Sequence, residues 1–480
     1  MGNSSTIKGH ENLSFSKRTR PDVNYVLRDK RHLSDKEFVY IIVDDTRYGI
    51  INYSPNGIAV EGDNKLRKEQ QLFNVSLYIH GYHVRSLNLT KIRQHEIDDK
   101  TIIAFEVDGK PINFPQIDAA YHATSLVETH RNYIHSADDI SPRLKAEVYE
   151  IKNWLEHLQW EIDQEELSLS LSGNRDAMDY ETTFIPIIVN YLSNIIPSLY
   201  ERIEKIINSL PEELYEKSHA FVLQNLNPIF HQAPFAERAF SKPLGYAGDY
   251  EMMNLIYRNE NLGKTLFARS LHRFCIDTPA AQAVRNRANY LIEKLLNVYH
   301  SHSGEKPLNI LSVACGPAKE WQFLTPQMDN AEKSVVIDLL DQDDNALSFT
   351  RGELDTINAH NQNPIQFNYI NKAIKHIIAR GLDEKEYDCI YSAGLFDYFS
   401  DNIARTTAEK LFKHLKPGGK LIIGNFDVGH DSQNIMDYIF HWPLIYRTKT
   451  DLLNLFDNIG SSTYIEAEEL GINLFCIIEK

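Results

Sequence analysis

Residues 308–347 constrain this chain more than any other stretch. They open with a run suited to a buried strand, Leu308-Asn309-Ile310-Leu311-Ser312-Val313, and pass into a turn of small residues, Ala314-Cys315-Gly316-Pro317-Ala318. A polar segment able to start a helix follows. Roughly twenty residues on, a second apolar run ends on Asp341. Strand, small turn, helix, strand and acid is the plan by which an α/β sheet holds a nucleoside-bearing cofactor at the carboxyl ends of its strands. Small residues let the backbone approach the ligand, and a helix N-terminus supplies free N–H groups. A carboxylate at the end of the next strand accepts the ribose hydroxyl protons. At the turn alone, the plain alternative is a strand-to-helix connection in some other α/β domain.

Beyond it, strands are predicted over 365–370, 387–392, 420–426, 462–467 and 473–479. A helix closes at 411–415, and Lys416-Pro417-Gly418-Gly419 turns the chain into the fifth strand. On these features the C-terminal part resembles a class I S-adenosylmethionine (SAM) methyltransferase. Val313-Ala314-Cys315-Gly316-Pro317-Ala318 stands where that family has V-G-C-G-P-G. The resemblance implies SAM as cofactor, held by Ala314, Cys315, Gly316, Pro317, Asp341 and Gln342. It places Asn371 and Ala373 near the adenine, and Ser392 and Gly394 after the fourth strand. Ser312 replaces the acid many members carry before the turn. Ala314 and Ala318 replace glycines and are expected to fit with φ < 0 or with little strain.

The 480 residues suffice for two or three domains, and 42% hydrophobic with 24% charged residues is the balance of a soluble globular protein. A net charge of −16 disfavours a nucleic-acid partner, whose phosphates would be repelled. The four cysteines lack metal or disulfide spacing, so no metal is expected and a reducing cytoplasm is the simple reading. No signal peptide is read at the N-terminus, and no apolar run is expected to reach the length of a membrane span.

Residues 1–16 read as a disordered polar tail, and 17–115 as a small antiparallel β-barrel. Short apolar runs at 38–43, 48–53, 58–60, 72–79 and 101–107 are separated by turn residues. Within it, Asn52-Tyr53-Ser54-Pro55-Asn56-Gly57 resembles the [D/N]-x-S-x-x-G signature of PilZ domains, receptors for cyclic di-GMP. That resemblance implies a nucleotide site at Asn52, Ser54 and Gly57 with Arg18 and Arg20, although the family's R-x-x-x-R spacing is missing here. The alternative is a sheet-edge turn in which Ser54 caps a backbone group and Gly57 supplies φ > 0.

Residues 119–225 read as a helical connector that packs domains together or dimerises. Helices are expected over 144–162 and 184–207, with a loop over 168–179. Residues 226–300 read as a helical lid or substrate region, followed by the α/β domain over 301–480. Lys242-Pro243-Leu244-Gly245-Tyr246-Ala247-Gly248-Asp249-Tyr250-Glu251-Met252-Met253 is dense in hydrogen-bonding groups, with Asp249 placed to cap the next helix. Together with Asn425-Phe426 and Trp442-Pro443-Leu444-Ile445-Tyr446-Arg447-Thr448, it resembles the bacterial methyltransferases grouped under extracellular-factor, 3-hydroxypalmitic acid methyl ester biosynthesis. The likeness covers roughly the second half of the chain.

That resemblance implies a small lipid-like acid as acceptor. A carboxylate is already ionised at neutral pH and needs no general base. Tyr246, Tyr250 and Lys242 are the candidates for holding it, with Arg285 or Arg287 from the next helix and His441 and Tyr446 lining an acyl pocket. Asp249 is the alternative contact for the cofactor's amino group. Methylation of protein or RNA, or a non-catalytic SAM and cyclic di-GMP sensor, are the competing readings.

Overall fold

The computed structural model describes residues 39–54, 56–79, 81–97, 100–112, 119–120, 122–127, 130, 139–172, 177–328, 332–361, 365–382, 385–430 and 432–480. The tail 1–16, Arg18, Arg20 and Pro55 lie outside them. The chain divides into two units, Met1–Asp138 and Asp139–Lys480.

The first unit is a closed six-stranded antiparallel barrel. Its strands are β1 (Val39–Val43), β2 (Thr46–Ser54), β3 (Gly57–Glu61), β4 (Gln71–Ile79), β5 (Tyr82–Ile97) and β6 (Lys100–Asp108). The order is β1-β2-β3-β6-β5-β4, and pairing of β1 with β4 closes the ring. Alternating inward residues such as Ile41, Val60, Leu77, Leu89 and Phe105 fill the interior, as a barrel this narrow requires. Asp44 and Asp45 both take positive φ, which fits the tight β1–β2 turn to the strand twist. The long β5 had no apolar run to announce it, because outward Arg85, Asn88 and Arg93 interrupt the pattern around Leu87 and Leu89.

Gly57 corrects one expectation, since it does not take positive φ. Its role is clearance: a Cβ there would lie 2.8 Å from the Phe105 carbonyl oxygen on β6. Ser54, buried beside it, donates to the Gly57 carbonyl at 3.4 Å.

The second unit begins with two 31-residue helices, Pro142–Ser172 and Ala177–Ile207. They run through most of the expected 168–179 loop. Ile185, Val189, Leu192, Ile196, Leu199 and Ile203 repeat at alternating four- and three-residue steps and form the buried stripe of the second. Against expectation, Tyr180–Ile207 is long and apolar enough to cross a membrane by length and composition, with a mean hydropathy of 1.3. The helices Tyr215–Phe230, Pro234–Ser241, Tyr250–Arg258, Leu266–Ile276 and Pro279–Ser301 follow in the same unit.

The sheet strands are β7 (Leu308–Val313), β8 (Val335–Asp341), β9 (Gln366–Asn371), β10 (Tyr387–Ser392), β11 (Leu415–Phe426), β12 (Ser462–Ala467) and β13 (Asn473–Glu479). Their order is β12-β13-β11-β10-β7-β8-β9. β11, β10, β7, β8 and β9 are parallel, while β13 is antiparallel to both its neighbours. The Lys416–Gly419 segment forms an irregularity at the start of β11, where pairing shifts from Tyr387↔Leu415 to Cys389↔Lys420. The expected architecture of barrel, helices and α/β sheet with a terminal antiparallel hairpin is present. The chain leaves β7 in one direction for β8 and β9, then crosses to β10 and β11. The reversal between β7 and β10 opens a crevice at their carboxyl ends.

Gly57→Ala is expected to destabilise the barrel by about 1–3 kcal/mol, since the Phe105 backbone has to shift. Hydrogen exchange of the β3 and β6 amides should speed up while the amides of the second unit keep their rates.

Candidate active site

At the mouth of β7 the backbone is bent sharply. Ala314, Gly316 and Ala318 have φ of 55°, 51° and 46°. The expectation of φ < 0 for the alanines is therefore wrong. Both sit in the left-handed region, at a cost of roughly 1–2 kcal/mol each for a residue with a Cβ. Hydrogen bonds hold the bend in place. Cys315 N–H donates to the Leu340 carbonyl at 3.1 Å, and Gly316 N–H donates to Asp341 Oδ2 at 2.9 Å. The turn is thereby fastened to the end of β8. A Cβ built on Gly316 would meet nothing within 4 Å, so this backbone is open to close approach by a ligand.

Asp341 is only 7% exposed. Its Oδ1 accepts the Asp343 N–H at 3.0 Å. Burial raises its pKa, and the backbone N–H groups of Asp343, Gly316 and Gln342 work against that rise. With three donors on two oxygens, the carboxylate keeps a further acceptor direction.

The 242–249 loop crosses this end of the sheet and is fixed at several points. Tyr246 donates its hydroxyl to Asp343 Oδ2 at 2.9 Å. Burial, then this bond, raises the tyrosine pKa. Gly248, at φ +70°, passes so close to Trp442 and Tyr398 that a Cβ would lie 2.6 Å from the Trp442 ring. Trp442 Nε1 in turn donates to the Tyr398 hydroxyl at 2.7 Å. Lys242 ends the helix Pro234–Ser241 in the left-handed conformation.

Loop, turn and strand ends enclose a cavity of about 530 Å³, within the range usual for small-molecule sites. Lys242, Tyr246, Tyr250 and Arg287 line it on the helical side. Ala314, Cys315, Gly316, Pro317, Asp341 and Gln342 line it on the sheet side, with Gly394 after β10. Phe235, Ile256, Val284, Met436 and Phe440 supply an apolar wall.

Other expected residues lie elsewhere. Asp249 is 1% exposed and pairs with Arg238, at 3.1 and 2.8 Å. It also caps the helix Tyr250–Arg258 through Met252 N–H at 2.9 Å. Its carboxylate is spent on the loop's base and is not part of the cavity wall. Arg285 sits about 200° around the helix from Arg287. It donates to the Ile276 carbonyl at 2.7 Å and reaches Asp277. Asn371 donates to the Gln342 carbonyl and Ala373 precedes the helix Ile374–Arg380, while Lys372 and Ile374 are the neighbours that reach the cavity. Ser392 is buried and bridges β10 to the Val313 carbonyl at 2.9 Å. His441 is exposed beside Phe240, and Tyr446 packs against the His430 ring. Neither lines the cavity, whereas Trp442 does. In the barrel, Asn52 and Ser54 end β2 and Gly57 opens β3.

Among the lining residues that were not foreseen, Glu320, Asp397 and Tyr398 carry ionisable groups. Asp397 accepts the Phe426 N–H at 2.6 Å, and burial pushes its pKa up to about 6. Arg287 makes no ion pair among the described residues and reaches the Met253 sulfur at 3.2 Å.

No protein-family model matches the sequence, nor does any curated protein. Among solved structures, the chain is similar to a possible exported protein from Bordetella parapertussis, at 19% identity over 48% of this chain and 79% of that one, with a TM-score of 0.39. It is similar to magnesium protoporphyrin IX methyltransferase from Synechocystis with bound SAM, at 11% identity over 42% and 84%, TM-score 0.30. It is also similar to the N-methyltransferase NodS from Bradyrhizobium japonicum with S-adenosyl-L-homocysteine, at 15% identity over 42% and 89%, TM-score 0.29. At these identities and scores the likenesses are too distant to bear on what the cavity binds.

Ala314→Gly trades left-handed strain against the greater unfolded-state freedom of glycine. Calorimetric stability should therefore stay within about 1 kcal/mol of the parent or rise. Ala314→Val should lose about 1–3 kcal/mol. The Asp397 carboxyl, raised from 3.8 to about 6, keeps its proton in the folded state where the unfolded chain has released it. Its favourable contribution is thus full at pH below that window and is lost as pH rises through it. Asp397→Asn stays neutral and still accepts from Phe426 N–H. Its stability relative to the parent should increase between pH 4.5 and 7 in thermal melts.

Proposed function

We propose that the Asp139–Lys480 unit is a SAM-dependent methyltransferase acting on the carboxylate of a small, lipid-like acid such as a 3-hydroxy fatty acid. This is the acceptor class of the extracellular-factor group it resembles. The observation that carries the reading is the cavity itself. A nucleoside-type turn and acid form one end, and an apolar wall with the ion-pair-free guanidinium of Arg287 forms the other.

The residues present fit the cofactor. Asp341 has acceptor capacity left for ribose hydroxyls, and the open face of Gly316 admits a close ligand. When bound, SAM supplies a methyl group on a sulfonium, ready for in-line displacement. Asp341 and the 314–318 turn orient the nucleoside end. Arg287 holds the acceptor carboxylate by charge-assisted hydrogen bonds. Phe235, Met436 and Phe440 take the acyl chain and exclude water, and the Tyr246–Asp343 bond keeps the loop closed over both. No histidine lines the cavity among the described residues, and a carboxylate acceptor, with a pKa near ~4.3, needs no base at neutral pH.

The barrel is proposed as a PilZ-like unit through which cyclic di-GMP adjusts turnover. The support is the Asn52-x-Ser54 sequence ending β2 next to Gly57. The protein is proposed to work in the cytoplasm, with the long helices available for a homodimer.

With methyl-labelled SAM and added 3-hydroxy fatty acid, base-labile label should enter the organic fraction. Label confined to protein or RNA would overturn the small-acid reading, and absence of SAM binding would overturn the methyltransferase. Arg287→Met should raise the acceptor KM about 10- to 100-fold, the loss of a charged hydrogen bond. Calorimetry with cyclic di-GMP tests the barrel separately.

A further inference from the structure

Glu320 is the anomaly of the cavity. It is only 7% exposed, yet it makes no ion pair among the described residues. Its Oε1 accepts the Tyr391 hydroxyl at 2.5 Å, and that hydroxyl also accepts Trp321 Nε1 at 2.8 Å. Ser312, at the end of β7, lies within hydrogen-bonding reach of the same hydroxyl. The second carboxylate oxygen has no such bond. Burial raises the Glu320 pKa by more than the Tyr391 bond, its own backbone N–H and the Arg287 charge together lower it. Arg287 acts on it only from a distance, its guanidinium lying over Gly394. Glu320 and Asp341 both line the cavity beside the 314–318 turn, and the charge of each raises the Cys315 thiol pKa.

We infer that Glu320 is the recognition residue for the cationic amino-acid end of the cofactor, with Asp341 at the nucleoside end. The inference rests on the methyltransferase reading. A buried carboxylate in the wall of a ligand cavity holds its charge more readily with a cation beside it, and an ammonium offers one with N–H donors for its oxygens. Tyr391, fixed by Trp321, aims the other oxygen. The chain thus has serine at the end of β7 and brings its acid to the same Tyr391 hydroxyl from the helix Lys319–Leu324. Neither Asp249, held by Arg238, nor Asp397, held by Phe426 N–H, is placed to do this.

The test compares S-adenosylhomocysteine with its deamino analogue, which keeps the adenosine, sulfur and carboxylate and lacks only the ammonium. By calorimetry the parent should prefer the first by at least about tenfold, and Glu320→Gln should abolish that preference while binding the analogue as the parent does. Should Glu320→Gln fail to fold, Glu320→Asp, which keeps the charge but withdraws it, should shrink the preference. Equal loss for both ligands, or an intact preference, would overturn the assignment. Failure of the parent to bind either ligand would instead overturn the methyltransferase reading, and the assignment with it.

Discussion

Two hydrogen bonds fasten the first turn of the sheet to the end of its neighbour: Cys315 N–H to the Leu340 carbonyl, and Gly316 N–H to Asp341. Much of the cavity depends on them. They hold three residues in the left-handed region within five positions, two of them alanines. Such strain persists only where the surroundings over-determine the backbone, and here β7 and β8 do so through their parallel ladder. The result is a bare stretch of main chain beside a buried carboxylate, next to the point between β7 and β10 where the order of the parallel strands reverses.

The rest of the wall comes from segments far apart in sequence. The loop 242–249 and the segment that follows β11 meet over the sheet at Gly248, Trp442 and Tyr398. Arg447 locks the second segment by donating to the Phe396 carbonyl, to Asn425 and to Asp401. The Arg238–Asp249 pair locks the first. Both locks use charged hydrogen bonds, and in each one member, Arg447 or Asp249, is buried, so that losing its partner leaves an uncompensated charge. Arg287 and Glu320 are left without a close ion pair among the described residues and feel each other's charge only from a distance, and charge held in this way is what a ligand can read.

Much of this was legible in the sequence, for physical reasons. Strand runs such as 387–392, 462–467 and 473–479 are short, rich in aromatic and β-branched residues and bounded by turn residues, so composition and length identify them. The turn, Asp341 and the Asp249 cap are local, fixed by residues a few positions apart. The less regular parts escaped. β5 alternates weakly, the helices Pro142–Ser172 and Ala177–Ile207 run through polar ends that read as loop, and Gly57 is required by a carbonyl on another strand.

The sequence by itself determined the barrel, the helical region and the α/β sheet, because backbone periodicity and turn chemistry are properties of neighbours along the chain. Only the tertiary structure decided which charged groups face the cavity. Arg285 and Arg287 look alike in the sequence, yet helix geometry sends one to carbonyls and Asp277 and the other to the cavity. Asp249, expected at the cofactor, is engaged by Arg238 instead, while Glu320, which carried no expectation, lines the cavity with a tyrosine hydroxyl on one oxygen. Charge partners are set across distances of many residues, and no local pattern records them.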